Sequence, residues 1–121
     1  MLTFETEHKT KIPFRELEEM HISDAIEDDR DFKIAIRGEV FFHQTIAILE
    51  LAQYCQRWIK EPRKDFIYNT IESIEAPIIA FCKQKNGWKL ESVWSAFECN
   101  EVFSDSDIML FITAIVNHVA E

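Results

Sequence analysis

Two apolar segments flank Asn86-Gly87 between Pro77 and Phe97, the second alternating apolar and polar residues with a period of two. Asn-Gly is the strongest short hairpin signal, because a type I′ turn sets two successive residues at positive φ. Two strands folded back on each other are therefore predicted here. On the second, Trp88, Leu90, Ser92, Trp94 and Ala96 share the face expected to be buried, and Lys89, Glu91, Val93, Ser95 and Phe97 share the other. The first strand is apolar on both faces, through Ile79 and Phe81 and through Ile78, Ala80 and Cys82, which suits a strand inside a sheet. Pro77 lacks an N–H and fits that strand's first residue. The hairpin is expected at the centre of the sheet.

The same reading covers the rest of the chain. Leu2 to Glu7 alternates as a short edge strand, and His8 to Lys11 reads as a polar turn. After Pro13 the pattern fits either a helical turn through Phe14 and Leu17 or a strand; a connector followed by a strand at Glu18 to Ser23 is preferred. Glu27 to Asp31 reads as a solvated loop, since four carboxylates around one arginine cannot be buried together. Phe32 to Phe42 is expected as one long strand with a bulge at Gly38. His43 to Lys60 has the three-and-four spacing of an amphipathic helix, with Ile48, Leu51, Ala52, Cys55, Trp58 and Ile59 on one stripe. Arg57, Lys60, Arg63 and Lys64 gather at its C-terminal end, where cations complement the helix dipole, and Pro62 stops it.

Phe66 to Ala76 reads as a third long strand, and Glu98 to Phe103 as a polar crossing or a short extra strand. Ser104 followed by Asp107 is the start signal of a last helix running to about Val119, with Ile108, Phe111, Ile112, Ile115, Val116 and Val119 turned inward. The expected fold is a single α+β domain over residues 1–121, an antiparallel sheet of about five or six strands with two helices packed on one face.

Charge changes this picture. The chain carries −9 overall, unevenly distributed: residues 1–31 hold ten acids and four bases, residues 32–89 six acids and nine bases, and residues 90–121 six acids and no base. Such a field repels nucleic acid and acidic membranes and attracts basic proteins. No apolar run reaches the length of a spanning helix, and Met1 to Glu7 has neither the basic nor the apolar region of a signal peptide. A cytoplasmic chain is expected. Cys55, Cys82 and Cys99 are an odd number in strand-like or apolar contexts, which suits buried reduced thiols.

No catalytic, cofactor or metal residues emerge. His8, His21, His43 and His118 are scattered, without the spacing that sets two ligands on one surface. Two glycines are too few for a phosphate cradle, and no serine sits in a nucleophile elbow. Buried thiols make poor nucleophiles. Carboxylates in solvated runs lack the desolvated pocket that separates an acid from a base. An enzyme is not expected.

Gly38-Glu39-Val40-Phe41-Phe42, Pro77-Ile78-Ile79-Ala80-Phe81, Asn86-Gly87-Trp88, Ser92-Val93-Trp94 and Phe97-Glu98-Cys99 resemble a family of small bacterial immunity proteins of polymorphic and contact-dependent growth-inhibition toxin systems. The resemblance covers about residues 30–120 and is weakest in the N-terminal third. It implies that the chain binds and neutralises a cognate toxin domain in the cytoplasm, a basic nuclease being the expected partner, by covering its active site or substrate path. No cofactor is implied. Complementary charge raises the association rate and selectivity of such a pair. The partner-binding surface is expected on Glu27, Asp28, Asp29, Asp31, Glu72, Glu75, Glu98 and Glu101. The rival readings are a regulatory or adaptor module and, less favoured, a small hydrolase.

Overall fold

Seven strands and four helices follow the order β1 (Leu2–Thr6), α1 (Phe14–Glu19), α2 (Ile22–Ala25), β2 (Asp29–Ile36), β3 (Glu39–Ala47), α3 (Ile48–Lys60), β4 (Phe66–Tyr68), β5 (Ile79–Gln84), β6 (Gly87–Glu91), β7 (Val102–Phe103) and α4 (Asp105–Val119). This is a computed structural model and it describes residues 1–121. The α+β class holds, but the strands divide between two antiparallel sheets instead of forming one, ordered β1-β2-β3 and β4-β5-β6-β7. The β5–β6 hairpin is central to the second sheet, as its doubly apolar first strand requires.

Both sheets and all four helices contribute to one core of 30 buried residues. An aromatic series crosses it from sheet to sheet. Phe42 meets Phe32, Phe32 meets Phe4, Phe4 meets Phe111 of α4, and Phe111 meets Phe81, with centroids 5.6 to 6.3 Å apart. Phe81 continues to Phe66, Trp58 and Trp88. Each such pair contributes about 0.5–1.5 kcal/mol beyond the area it buries. The inward positions expected for α4 are all buried, and Ser104 caps it by accepting the Asp107 N–H at 3.1 Å.

Several boundaries differ from the alternation reading. The run from Phe32 to Phe42 is the middle of a hairpin: the chain reverses at Arg37-Gly38, where φ is 52° and 82°, and Ile36 pairs with Glu39. The bulge lies further on, where Ile34 pairs with Phe42 but Ala35 with Val40, leaving Phe41 as the extra residue. Both phenylalanines are thereby buried. Phe41 faces Phe97, and its carbonyl accepts the Ala96 N–H at 2.8 Å. Residues 43–47 continue β3 instead of opening the helix; β-branched Thr45 and Ile46 favour this.

The strand expected at Glu18 to Ser23 is absent. Two short helices lie there; the Gln53 amide of α3 holds the end of the first by donating to the carbonyls of Leu17 at 3.0 Å and Met20 at 2.8 Å. Asp29, Arg30 and Asp31 belong to β2, not to a loop. The second hairpin turns at Lys85-Asn86, since Gln84 pairs with Gly87. Gly87, at φ 145°, is required by close packing: a Cβ there would sit 2.5 Å from the Phe103 carbonyl oxygen. β6 ends at Glu91, so Ala96 is exposed rather than buried. β5 starts at Ile79, two residues after Pro77. Cys55 and Cys99 are buried, whereas Cys82 is only partly so. No helix is long and apolar enough to cross a membrane.

Candidate protein-binding groove

β4 stops after three residues, and residues 69–78 form an irregular loop instead of the long strand expected from Phe66 to Ala76. Its side chains explain the stop. Thr70 Oγ1 accepts the Glu72 N–H at 3.3 Å and Ser73 Oγ accepts the Glu75 N–H at 3.1 Å, two local turns that compete with a ladder.

Helix α3 fixes the loop from below. Glu50, fully buried, accepts the Tyr68 hydroxyl at 2.7 Å and the Ile71 N–H at 3.3 Å. Burial first, and the Glu50 carboxylate second, push the Tyr68 hydroxyl well above its usual pKa, so it stays a donor. Tyr54 donates to the Asn69 carbonyl at 3.0 Å. On the far side the Trp94 indole donates to Glu75 at 2.9 Å, and the Val93 N–H to the Pro77 carbonyl at 2.9 Å.

A loop tied at so many points presents its outward side chains in a fixed arrangement. Ile71 is 62% exposed and Ile74 fully exposed, and Ile67 and Val93 nearby are about half exposed. Beside them a groove of about 220 Å³ runs between the loop and the end of β3, with Asp29, Thr45, Thr70, Glu72, Tyr68 and Trp94 among its walls. No lysine or arginine lines it. Exposed isoleucines held rigidly next to uncompensated carboxylates can seat in an apolar pocket whose rim is cationic.

Seven of the eight acids named from sequence fall into three groups. Asp29 and Glu72 share this groove, and Glu75 borders it through Trp94. Asp31 is exposed on the same strand as Asp29 and meets His43 at 2.8 Å, while Glu27 is exposed just before β2. Glu98 and Glu101 lie elsewhere, with Glu101 paired to Arg37 at 2.7 Å and Glu98 3.6 Å from Lys89. Asp29 pairs with Ala47 and Ile36 with Glu39, so the β2–β3 hairpin separates these groups by roughly 24 Å.

Asp28 is occupied internally. Arg30, only 3% exposed, donates to both of its carboxylate oxygens at 3.1 and 2.9 Å and to the Glu7 carbonyl at 3.2 Å. Lys9 adds a contact at 3.0 Å. The Arg30 hydrogen bonds hold the Asp28 carboxyl below its usual range, with Lys9 assisting against the cost of burial. Asp28 is therefore a fold residue.

Ile71, Ile74, Trp94, Glu50 and Tyr68 escaped the sequence reading. Alternation placed Trp94 in a buried strand face and Ile71 in a strand. The signal that marks the loop is the repeated pair Thr70-x-Glu72 and Ser73-x-Glu75, each a local turn former.

No curated protein and no solved structure matches this chain. A family model described as a domain of unknown function, DUF7878, matches residues 2–121. With the match spanning both sheets, α3, α4 and the groove between them, the chain belongs to the DUF7878 family.

Proposed function

We propose that this chain is an immunity-type inhibitor, which captures a cationic toxin domain in the cytoplasm and blocks it by covering its active cleft or substrate path. One observation carries the reading: Ile71 and Ile74 stand outward on a loop fixed by Glu50, Tyr54 and Trp94, beside Asp29, Glu72 and Glu75 with no base in the groove. Burying one isoleucine in a partner contributes about 1.5–3 kcal/mol, and the carboxylates add association rate toward a basic cleft of the kind nucleases carry. The chain itself performs no chemistry in this reading.

The test is co-purification with the product of the adjacent upstream gene, together with growth of cells that express that product. Ile74→Asp, at a fully exposed position, should leave stability within about 0.5 kcal/mol and abolish capture and protection. Glu72→Lys with Glu75→Lys should slow association and weaken its salt dependence. Capture that ignores all three substitutions refutes the groove as the interface. A captured partner that is harmless without this chain identifies an adaptor instead of an inhibitor.

A further inference from the structure

β1 and β7 are outer strands of their respective sheets, each paired on one side only. Both border a second groove, of about 420 Å³, whose walls are Leu2 and Phe4 on one side and Phe103 on the other. Leu110, Phe111 and Ala114 of α4 also line it. Leu110 is 70% exposed and Met1 80%. The groove shares no lining residue with the one beside the 69–78 loop and lies at the opposite edge of the three-stranded sheet.

The ladder fixes which backbone groups of β1 face it. Arg37 N–H donates to the Met1 carbonyl at 2.8 Å, and the register continues with Leu2 opposite Ile36. Bonded and non-bonded pairs alternate along an antiparallel ladder. Met1 therefore directs its C=O, and Thr3 and Glu5 their N–H and C=O groups, toward β2, and Leu2, Phe4 and Thr6 direct theirs toward the open side. Side chains alternate the other way, out of the sheet plane: Leu2 and Phe4 pack against the core, while Thr3 and Glu5 are exposed.

We propose that this groove takes an extended segment of another protein by strand addition to β1, with apolar residues on one face and lysine or arginine on the other. Main-chain bonds to Leu2, Phe4 and Thr6 supply affinity, and alternate side-chain positions supply selectivity. The inward residues of the guest lie against Leu110 and Ala114. Its outward residues stand beside Glu5, 80% exposed and only loosely met by Lys33 at 4.0 Å, where an opposite charge across the pair is favoured. Asp107 adds a carboxylate to the lining and Glu101 a second, the latter already bound to Arg37; no lysine, arginine or histidine lines the groove. A second copy of this chain, itself carrying −9, would bring further negative charge to this edge, so a basic guest is the occupant. The site stands whether or not the immunity reading holds.

A fluorescently labelled nine-residue peptide alternating valine and lysine tests this directly, against a scrambled peptide of the same composition and an alternating valine–glutamate one. The alternating basic peptide should bind at least about tenfold more tightly than either. On binding, amide exchange should slow at Leu2, Phe4 and Thr6 and stay unchanged at Thr3 and Glu5, whose N–H groups are already bonded. Leu110→Lys, at an exposed position, should weaken binding at least about tenfold, and Ile74→Asp on the other groove should leave it unaltered. Equal binding of the scrambled peptide, or no slowing at Leu2, Phe4 and Thr6, overturns the proposal. So does slowing of those amides by the protein's own concentration without peptide, which assigns the edge to a second copy.

Discussion

Asp28→Asn removes the only carboxylate that Arg30 meets, and Arg30 is 3% exposed with three donated hydrogen bonds, two of them to Asp28. Breaking a buried pair from one side costs about 3–5 kcal/mol, because a charge is left uncompensated. Here the Asp28 side chain is 22% exposed, and asparagine keeps one acceptor oxygen, so the expected loss is about 2–3 kcal/mol. At about 2.1 cal/mol/K per residue, 121 residues give an unfolding entropy near 0.25 kcal/mol/K, and the melting temperature should fall by about 10 °C. Differential scanning calorimetry reads this, with Asp29→Asn, an exposed neighbour, as the control expected to stay within about 2 °C.

The pH dependence has a fixed sign. The folded-state carboxyl of Asp28 is held below its ordinary value of 3.8, so its stabilisation is fully present above that value and is lost as pH falls through the lower folded one. The gap between wild type and Asp28→Asn should thus be constant at neutral pH and close in strong acid. A fall under 2 °C at pH 7, or a gap that widens on acidification, would falsify the assignment of Asp28 to the fold.

Three further perturbations have defined outcomes. Tyr68→Phe leaves buried Glu50 with the Ile71 N–H alone; it should cost about 1.5–3 kcal/mol in urea unfolding and speed amide exchange at Ile71. Gly87→Ala meets the Phe103 carbonyl and Val102 Cγ1 at 2.5 and 2.6 Å and should cost more than about 1 kcal/mol, whereas Gly38→Asn, in open space and at a turn that accepts positive φ, should cost less. With an aromatic disulfide reagent, native protein should react slowly and at Cys82 alone. Cys55 is fully buried and its thiol is pushed far up by burial, while the Cys82 thiol is raised first by partial burial and then by Glu91 and Asp65.

Residues whose local and tertiary demands coincide were legible in the sequence. The Ser104 cap and the inward stripe of α4, the doubly apolar β5 and the edge strand β1 all follow from spacing alone. Arg37 was not legible, because a non-glycine residue at φ 52° leaves no compositional trace, and alternation on both sides of the turn imitated one strand. The C-terminal end of α1 is held by Gln53, more than thirty residues away. The excess of acid was legible and its division was not: Asp28 differs from Asp29 because buried Arg30 and Lys9 both bind its carboxylate. Ile71 and Ile74 looked like strand residues because β-branching is shared by strands and by exposed anchors.

Every strand in this molecule pairs with the one before or after it in the chain, and none of the first three crosses to the sheet of the last four. Each sheet is thus an uninterrupted tract of polypeptide, and ordering it closes only modest stretches of chain before the two tracts dock. Insertions in the connections between neighbours, such as residues 69–78, leave both ladders intact. The architecture lets the surface presented beside β3 vary while the pairing beneath it stays the same.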